Sequence, residues 1–400
     1  MIKKFSPFTF TYSKNFLNIF ILRSIRKILN LSISIIFKFF RYKILTSPLE
    51  AIGHQCWDLE CINIDNEFNE KKHIILIPRH EKFLGNKYFF DNFQKERLIK
   101  KHSLKFINSK IFCVILYFQR YFKNITLNTD HFMANDHATS FKLIKDHFTK
   151  YHTNEKLHED GKKLIKKYNL ELGKKFILLH ARDASFKPFD NERYRDTDID
   201  TFSNLIDYLI EKKYQIVRLG NKGMKKSKFN NKIIDLTQLE ILPADKEILD
   251  VYLAAYCDYM VGTCSGLGCL AAMFGKKILS TNMAPHSFSL SINSGLSIPK
   301  IYKFNEDSKI LKFEEVVSLN LHNLRHDDYY KSNSLHLIDN SPDEIVEAFK
   351  DLEVIDNNIK ENELQKKFRE TLNKNNIISH SFDSSSSIAP SFIKKYIELL

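Results

Sequence analysis

A strand followed at once by polar residues is the first place in the sequence where chemistry is expected. The apolar run 175–180 (KFILLH) ends in His180, and Ala181, Arg182 and Asp183 come next. The carboxyl ends of strands in a doubly wound sheet line the crevice in which ligands bind. An arginine there can hold a diphosphate through paired hydrogen bonds and offset charge that grows on a leaving group. Two structural alternatives stay open: Asp183 could hold Arg182 in a salt bridge, and His180 could be a core histidine.

A glycine-rich turn is the second such place. Residues 262–268 (GTCSGLG) stand between a predicted strand and a predicted helix. Glycines let a ligand approach the backbone, hydroxyl groups donate to phosphate oxygens, and amides at the start of a helix face an anion. The turn is therefore predicted to bind a diphosphate through these residues: Thr263, Cys264, Ser265, Gly266 and Leu267. The structural alternative is a capped helix in a turn that binds nothing.

The same turn contains the spacing Gly266-x-Gly268-x-x-Ala271, which is typical of dinucleotide-binding folds. In those folds the glycine turn follows the first strand, and an acidic residue further along holds the ribose. Here the turn follows the fourth predicted strand of the second half, and the next strand ends at Asn282 without an acid. A dinucleotide site is therefore the weaker interpretation.

Further candidates for the crevice follow neighbouring elements. Arg218 and Gly220 come at the end of the run 214–219 (YQIVRL), and Arg218 is predicted to point into the crevice, with a surface arginine as the alternative. Arg195 lies in a loop before a predicted helix and could reach a substrate, although loop arginines are often only solvated. Arg218 is predicted to bind the donor diphosphate, and Arg195 and Gly220 are further candidates for the crevice, as are His180 and Asp183.

An Asp-x-Asp pattern occurs in the run 196–200 (DTDID). Such a pattern can hold a metal ion beside a nucleotide-sugar diphosphate. A helix is predicted to begin there, however, and Asp is a preferred residue for capping the start of a helix. We favour capping by Asp198 or Asp200, and no metal site is predicted.

The elements around these residues alternate regularly. Strands of the second half are predicted at 175–180, 214–219, 232–236, 259–262 and 277–281, with helices between them. This spacing indicates a parallel sheet covered by helices on both faces. In the first half, residues 73–78 (HIILIP) are predicted to form a buried parallel strand. The fold class is therefore α/β.

The length of the chain predicts more than one domain, since 400 residues exceed what one hydrophobic core usually serves. We predict a basic and apolar helical extension at 1–46, a first domain at 47–172, a second domain at 173–345 and a helical tail at 346–400.

Composition restricts the partners. Lys and Arg number 61 against 48 Asp and Glu, and the surplus of 13 positive charges favours anionic partners. This charge is spread along the chain and no nucleic-acid motif occurs, so no nucleic acid is expected. The six cysteines form no Cys-x-x-Cys pair, which indicates reduced thiols in a cytoplasmic protein and no zinc site.

The N-terminal extension combines apolar and basic residues. Its apolar runs, 15–22 and 28–40, are interrupted by Arg23, Arg26 and Lys27 and fall short of the roughly 20 residues of a spanning helix. Basic residues among Phe, Ile and Leu suit a helix that lies on an anionic membrane surface. A packed helix pair and an uncleaved signal-like stretch are the alternatives, and no cleavable signal peptide is predicted.

The motifs as a set resemble a known family. HARD, RDTDIDT, VRLG and GTCSGLGCLAAMFGKK, followed by STNMAP, are similar to a group of bacterial glycosyltransferases with two Rossmann-like domains facing a cleft, the GT-B type. The resemblance to ADP-heptosyltransferases and fucosyltransferase-like enzymes is more distant. It covers residues 174–285, with weaker similarity at 47–58 and 336–352. It implies an acceptor domain in the first half and a nucleotide-sugar domain in the second.

The resemblance also implies roles for residues. It implies inverting transfer without a metal or other cofactor, the donor diphosphate on the turn from Thr263 to Leu267, and Arg182 stabilising the departing nucleotide. Heptosyltransferases carry a catalytic Asp after a glycine in the first turn of the N-terminal domain, whereas Gly53 here is followed by His54. Histidine titrates near neutrality and could itself accept the proton of the acceptor hydroxyl. Glu81 is the second candidate for the general base.

The expected function is transfer of a sugar from a nucleotide-sugar donor to a surface glycan or a lipid-linked glycan. The expected location is the cytoplasm, with peripheral contact at the inner face of the membrane. Two alternatives stay open. An NAD-dependent oxidoreductase would use the Gly266-x-Gly268 turn, and a catalytically inactive, membrane-bound protein that binds glycans or nucleotides would explain the missing acid after Gly53.

Overall fold

A computed structural model of the protein describes these residues: 39, 42–45, 49–64, 73–76, 84–101, 103–106, 126–127, 144–173, 175–185, 191–288, 295–306, 309–355, 360–372 and 385–400. Most of the extension predicted at 1–46 lies outside this set, and so does Glu81. Among the helices of the described residues, none has the length and apolar character needed to cross a membrane. Contact of the extension with a membrane surface stays a prediction.

The first half contains a parallel sheet of four short strands. They are β1 (Tyr42–Leu45), β2 (His73–Leu76), β3 (Ser103–Phe106) and β4 (Thr126–Leu127), in the order β3-β2-β1-β4. Its helices are α1 (Ile52–Ile64), α2 (Lys87–Phe89), which continues through a π-helical turn at Phe90–Gln94, and α3 (Lys95–Lys101). Strand β1 belongs to residues expected in the helical extension, so the sheet begins before the predicted boundary at residue 47.

The second half contains a parallel sheet of seven strands. Its strands are β5 (Phe176–His180), β6 (Gln215–Arg218), β7 (Ile234–Asp235), β8 (Tyr259–Gly262), β9 (Lys277–Met283), β10 (Gly295–Pro299) and β13 (Ser387–Ile388). Between β10 and β13 the chain forms β11 (Ile301–Phe304) and β12 (Leu335–Ile338), which pair with each other antiparallel in a separate sheet. The strand order is β13-β10-β9-β8-β5-β6-β7. The predicted α/β class is confirmed.

Helices cover both faces of this sheet. They are α4 (Glu155–Lys167), α5 (Ser203–Glu211), α6 (Pro243–Tyr256), α7 (Gly266–Met273), α8 (Phe313–Ser318), α9 (Asp327–Ser332), α10 (Pro342–Val354), α11 (Glu363–Leu372) and α12 (Pro390–Lys395). The predicted tail at 346–400 supplies the edge strand β13 as well as helices. Phe368 and Phe392 from the tail are buried in the core on one face of the sheet.

The strand order reverses between β5 and β8. From β5 the chain moves through β6 to β7 on one side, and it then returns to β8 on the other side of β5 before it continues to β9 and β10. The loops after β5 and β8 therefore leave the sheet in different directions. In open α/β sheets a ligand crevice forms at this switch point.

The core on one face of the sheet is shared by the two halves. Strand β5 places Phe176 and Leu178 on that face, where they join the same cluster as Phe89 and Phe93 from the first half. The ring of Phe274, just after α7, lies 5.9 Å from Phe89 and 5.3 Å from Phe93 between centroids. The halves are thus joined through aromatic packing beside the sheet.

Arg218 does not point into the crevice, which corrects the sequence prediction. Its side chain is buried, and Nη1 donates to the Asp235 carboxylate at 2.9 Å and to the Lys225 carbonyl at 2.7 Å. Arg218 and Asp235 are register partners on β6 and β7, which places their side chains together inside the fold. Arg218 is therefore a structural residue that neutralises a buried carboxylate.

Replacing Asp235 by Ala is expected to lower the free energy of unfolding by about 3–5 kcal/mol, because it leaves the Arg218 charge buried without its partner. Urea denaturation measures the loss. The matched control is Asp207→Ala, since Asp207 forms an ion pair with Lys232 in which the two side chains are 55% and 41% exposed. Such an exposed pair contributes about 1 kcal/mol or less, so equal losses in the two variants would contradict the role of Arg218.

Candidate functional site

The two motifs predicted to carry chemistry meet at the switch point. The amide of Arg182, just after β5, donates to Oγ1 of Thr263, just after β8, at 3.0 Å. The amide of Thr263 donates in turn to the carbonyl of His180 at 3.1 Å. These bonds continue the pairing of β5 with β8 beyond the ends of the strands. Both polar segments are thereby fixed at one edge of the sheet.

The side chain of Arg182 is turned toward the segment 191–196. Its Nη1 donates to the carboxylate of Asp196 and to the carbonyl of Glu192, the latter at 2.8 Å, and only 6% of the side chain is exposed. Asp183, the partner weighed in the sequence analysis, accepts from the amides of Ser185 and Lys225 instead. The carboxylate that holds Arg182 is therefore that of Asp196.

The guanidinium that contacts the glycine-rich turn belongs to Arg195. Nη2 of Arg195 donates to the carbonyl of Cys264 at 2.7 Å, and Nη1 donates to Glu192 at 2.5 Å. The side chain is 24% exposed. Nε is buried and makes no hydrogen bond within the described part of the chain. Arg195 was one of several loop candidates, and it lies closer to the turn than the sequence indicated.

The turn itself is partly open. We call Cys264, Ser265, Gly266 and Leu267 the corner; all four are partly exposed at the start of α7. Ser265 is the N-cap residue, and its hydroxyl accepts from the amide of Leu267 at a long distance of 3.4 Å. Thr263 differs from the prediction, because it is 3% exposed and its hydroxyl links the strand ends. The corner is therefore available to a ligand, whereas Thr263 supports it from inside.

The start of α1 lies against the start of α7. A Cβ added to Gly53 would lie 3.0 Å from Cα of Gly266, and one added to Gly266 would clash with the backbone of Gly53. Neither helix carries an acidic residue in its first turn. Because helix N-termini carry a partial positive charge, the contact concentrates positive potential at the corner. His54 follows Gly53, and its side chain is 35% exposed.

His180 and Gly220 are structural residues, not groups that face the crevice. His180 is buried, and its Nδ1 contacts the carbonyl of Leu219 at 3.0 Å. Burial lowers the pKa of His180 to about 4, so the ring is neutral at pH 7. Gly220 is buried as well, and an added Cβ would meet Met224 and, at 2.9 Å, Thr237. The alternative of a core histidine is the one that the structure favours.

The Asp-x-Asp run caps a helix, as the sequence analysis favoured. The side chain of Asp198 accepts from the amide of Asp200 at the start of a 3-10 turn that leads into α5. Lys225 Nζ contacts both carboxylates, at 2.6 Å and 3.0 Å. Among the described residues, no group of three or more His, Cys, Asp or Glu side chains could hold a metal ion.

A buried lysine that was not predicted from the sequence holds the backbone of Asp196, the partner of Arg182. Lys300 directly follows β10, is 4% exposed, and donates through Nζ to the backbone carbonyl of Asp196 at 2.8 Å. The same Nζ lies 2.8 Å from Asp339, which also accepts from Thr197 at 3.0 Å. The signal was available in principle, since a lysine that follows a strand end is a ligand candidate, but β10 itself was not predicted.

No protein-family model matches the chain, and no curated protein matches its sequence. Among solved structures, the chain is similar to a glycosyl transferase of family 9 from Veillonella parvula, at 12% identity and a TM-score of 0.41, over 65% of this chain and 86% of that one. It is also similar to the iron-containing dodecameric glycosyltransferase TibC from enterotoxigenic E. coli, at 10% identity and a TM-score of 0.31, over 61% and 59%.

A third similar structure is a UDP-GlcNAc 2-epimerase from Methanocaldococcus jannaschii, at 10% identity and a TM-score of 0.27, over 62% of this chain and 71% of that one. The chain spans about three fifths of the length of TibC. Two of these three proteins are glycosyltransferases.

The stability of the protein is expected to fall as the pH falls from about 6.5 to about 4. Burial lowers the pKa of His180 and that of His286 to about 4. The unfolded chain takes up these protons near pH 6.5, so acid favours unfolding by about 1.4 kcal/mol per pH unit for each histidine.

Urea denaturation at several pH values measures this slope. His180→Asn removes the titrating ring, so the slope is expected to become smaller by about 1.4 kcal/mol per pH unit. His147→Asn, at an exposed position, is the matched control. An unchanged slope in His180→Asn would contradict the assignment of a neutral, buried His180.

Proposed function

We propose that the protein is a glycosyltransferase that moves a sugar from a nucleoside-diphosphate sugar to a glycan or a lipid-linked glycan. One observation carries the proposal. The guanidinium of Arg195 donates a hydrogen bond to the carbonyl oxygen of Cys264, which belongs to the partly open corner. The corner lies at the switch point of a parallel sheet. This combination of a guanidinium with helix amides suits a diphosphate, which carries negative charge and accepts several hydrogen bonds.

The positive charge at the corner has a chemical use in sugar transfer. As the bond between the sugar and the diphosphate breaks, negative charge grows on the phosphate oxygens. Donors that are already in position stabilise that charge without rearranging. We assign this role to Arg195 and to the amides at the start of α7, with Ser265 as a further hydroxyl donor. The backbone of Arg182 is bonded to Thr263, which precedes the corner, and its guanidinium is held by Asp196.

The proposed base is His54. It lies at the start of α1, whose backbone touches the corner through Gly53 and Gly266. A partly exposed imidazole at this place can accept the proton of an acceptor hydroxyl while the hydroxyl oxygen attacks the anomeric carbon of the sugar. Direct displacement of this kind inverts the configuration of the sugar. The proposal assigns neutralisation of the diphosphate to protein groups, so it includes no metal.

The proposal also includes the cellular setting. The surplus of 13 positive charges supports an anionic partner, and the basic extension at 1–46 supports peripheral contact with the inner face of the cytoplasmic membrane. A lipid-linked acceptor would be reached from that position.

Arg195→Ala is expected to weaken donor binding by roughly tenfold or more, because one charged contact contributes about 1.5–3 kcal/mol. Isothermal titration calorimetry with UDP, GDP, ADP and CMP first identifies the nucleotide and then compares the variants. The matched control is Lys366→Ala on α11, which removes one exposed positive charge elsewhere. No binding of any nucleotide, or full binding by Arg195→Ala, would count against the proposal.

His54→Gln is expected to bind the nucleotide normally and to transfer sugar at least about a hundredfold more slowly, because a general base contributes roughly 10²–10⁴ in rate. Release of the nucleoside diphosphate, measured with and without lipid-linked acceptor, reports turnover. Binding without turnover for every donor would favour an inactive binding protein. Tight binding of NADH, together with no turnover of any nucleotide sugar, would favour an oxidoreductase.

A further inference from the structure

Helix α1 carries a pair of titratable residues of which the proposed function uses only one. Nδ1 of His54 lies 3.4 Å from Oδ2 of Asp58, one turn further along the helix. Residues four positions apart share a face of a helix. The Asp58 side chain is fully buried, whereas that of His54 is 35% exposed. The pair therefore extends from the interior of the protein to its surface.

The pair lies beside the corner. Gly53, next to the histidine in sequence, contacts Gly266, and a Cβ added to Gly53 would lie 3.8 Å from Sγ of Cys269 on α7. Burial raises the pKa of the Cys269 thiol to about 12, and the nearby charges of Arg195 and Asp58 act on it in opposite directions.

Other charged groups packed around α1 have partners of their own. Glu60 accepts from Arg97 of α3 at 3.1 Å and from the hydroxyl of Tyr151 at 2.5 Å. Burial raises the pKa of the Cys56 thiol well above its usual range, so this thiol is neutral. Among the described residues, the carboxylate that contacts the imidazole of His54 is that of Asp58.

A hydrogen bond to one nitrogen of an imidazole determines which nitrogen carries the hydrogen. A carboxylate accepts hydrogen bonds and donates none, so it favours the ring form with hydrogen on Nδ1. Nε2 lies on the opposite side of the ring, and within the described residues it makes no hydrogen bond. The His54 side chain is 35% exposed, so a ligand can reach the ring.

We propose that Asp58 is a positioning residue for His54, holding hydrogen on Nδ1 so that Nε2 is the proton acceptor beside the corner. The inference rests on the proposed function. In the transfer, Nε2 takes the proton of the acceptor hydroxyl as its oxygen bonds to the anomeric carbon. The electron pair of the broken carbon–oxygen bond leaves with the diphosphate. The carboxylate of Asp58 then faces a cationic ring, which it stabilises.

Nitrogen NMR of protein labelled with ¹⁵N-histidine tests the position of the hydrogen without any substrate. The His54→Gln variant identifies the signals of His54. The wild type is expected to show mainly the form with hydrogen on Nδ1 above neutral pH. Asp58→Asn is expected to shift the population toward hydrogen on Nε2, because an amide can donate to Nδ1 as well as accept from it. The control is Asp91→Asn, which removes another helical carboxylate of the first half that also pairs four residues away.

Kinetics test the consequence for transfer. In Asp58→Asn we expect kcat to fall roughly tenfold or more, as part of the contribution of a general base, while the Kd of the nucleotide stays within about twofold. A loss of structure alone would weaken nucleotide binding as well as lower kcat, so the unchanged Kd separates the two causes.

The outcomes separate this inference from the proposed function. Hydrogen mainly on Nε2 in the wild type, or the same ring form in wild type and Asp58→Asn, overturns the role of Asp58 whether or not turnover is found. If Asp58→Asn does not fold, the wild-type spectrum still decides. If the spectra agree with expectation but His54→Gln keeps full turnover, the proposed base is wrong and the contact between Asp58 and His54 stands.

Discussion

The contact between Gly53 and Gly266 holds the start of α1, which carries His54, against the corner. These residues stand at the starts of α1 and α7, and the absence of side chains lets the two backbones touch. Two helix N-termini are thereby held together, although their partial positive charges repel each other. An anion at the corner would relieve that repulsion. The same contact that joins the halves thus creates an electrostatic preference for a negatively charged ligand.

Carboxylates determine the direction of the guanidinium groups at the crevice. Asp196 holds Arg182, Glu192 holds Arg195, and the backbone of Asp196 is held by Lys300. Fixed charges need little rearrangement when a ligand arrives, which is the condition under which they stabilise a transition state best. The segment that carries these carboxylates therefore acts as a frame for the positive groups beside the corner.

The sequence predicted five strands of the larger sheet but not the directions of the side chains at their ends. Apolar runs and glycine turns predicted β5 to β9. The predicted direction of the Arg218 side chain was wrong. That direction depends on the register between β6 and β7, which pairs Arg218 with Asp235, seventeen positions further along the chain. Strand β10 was missed because its residues 295–299 (GLSIP) combine glycine and proline, which normally indicate a turn. The contact of Gly53 with Gly266 could not be predicted, since no local pattern encodes a contact between distant helices.

The shared aromatic packing has a consequence for how the molecule folds. Phe89 and Phe93 cover Phe274 and complete the core on one face of the seven-stranded sheet. The amides of Lys87 and Tyr88 add polar links, because both donate to the carboxylate of Glu247 on α6. Helices α1 and α2 are therefore part of the cooperative unit built around the larger sheet. Cutting the chain at the apparent boundary near residue 173 would separate a domain from part of its own interior.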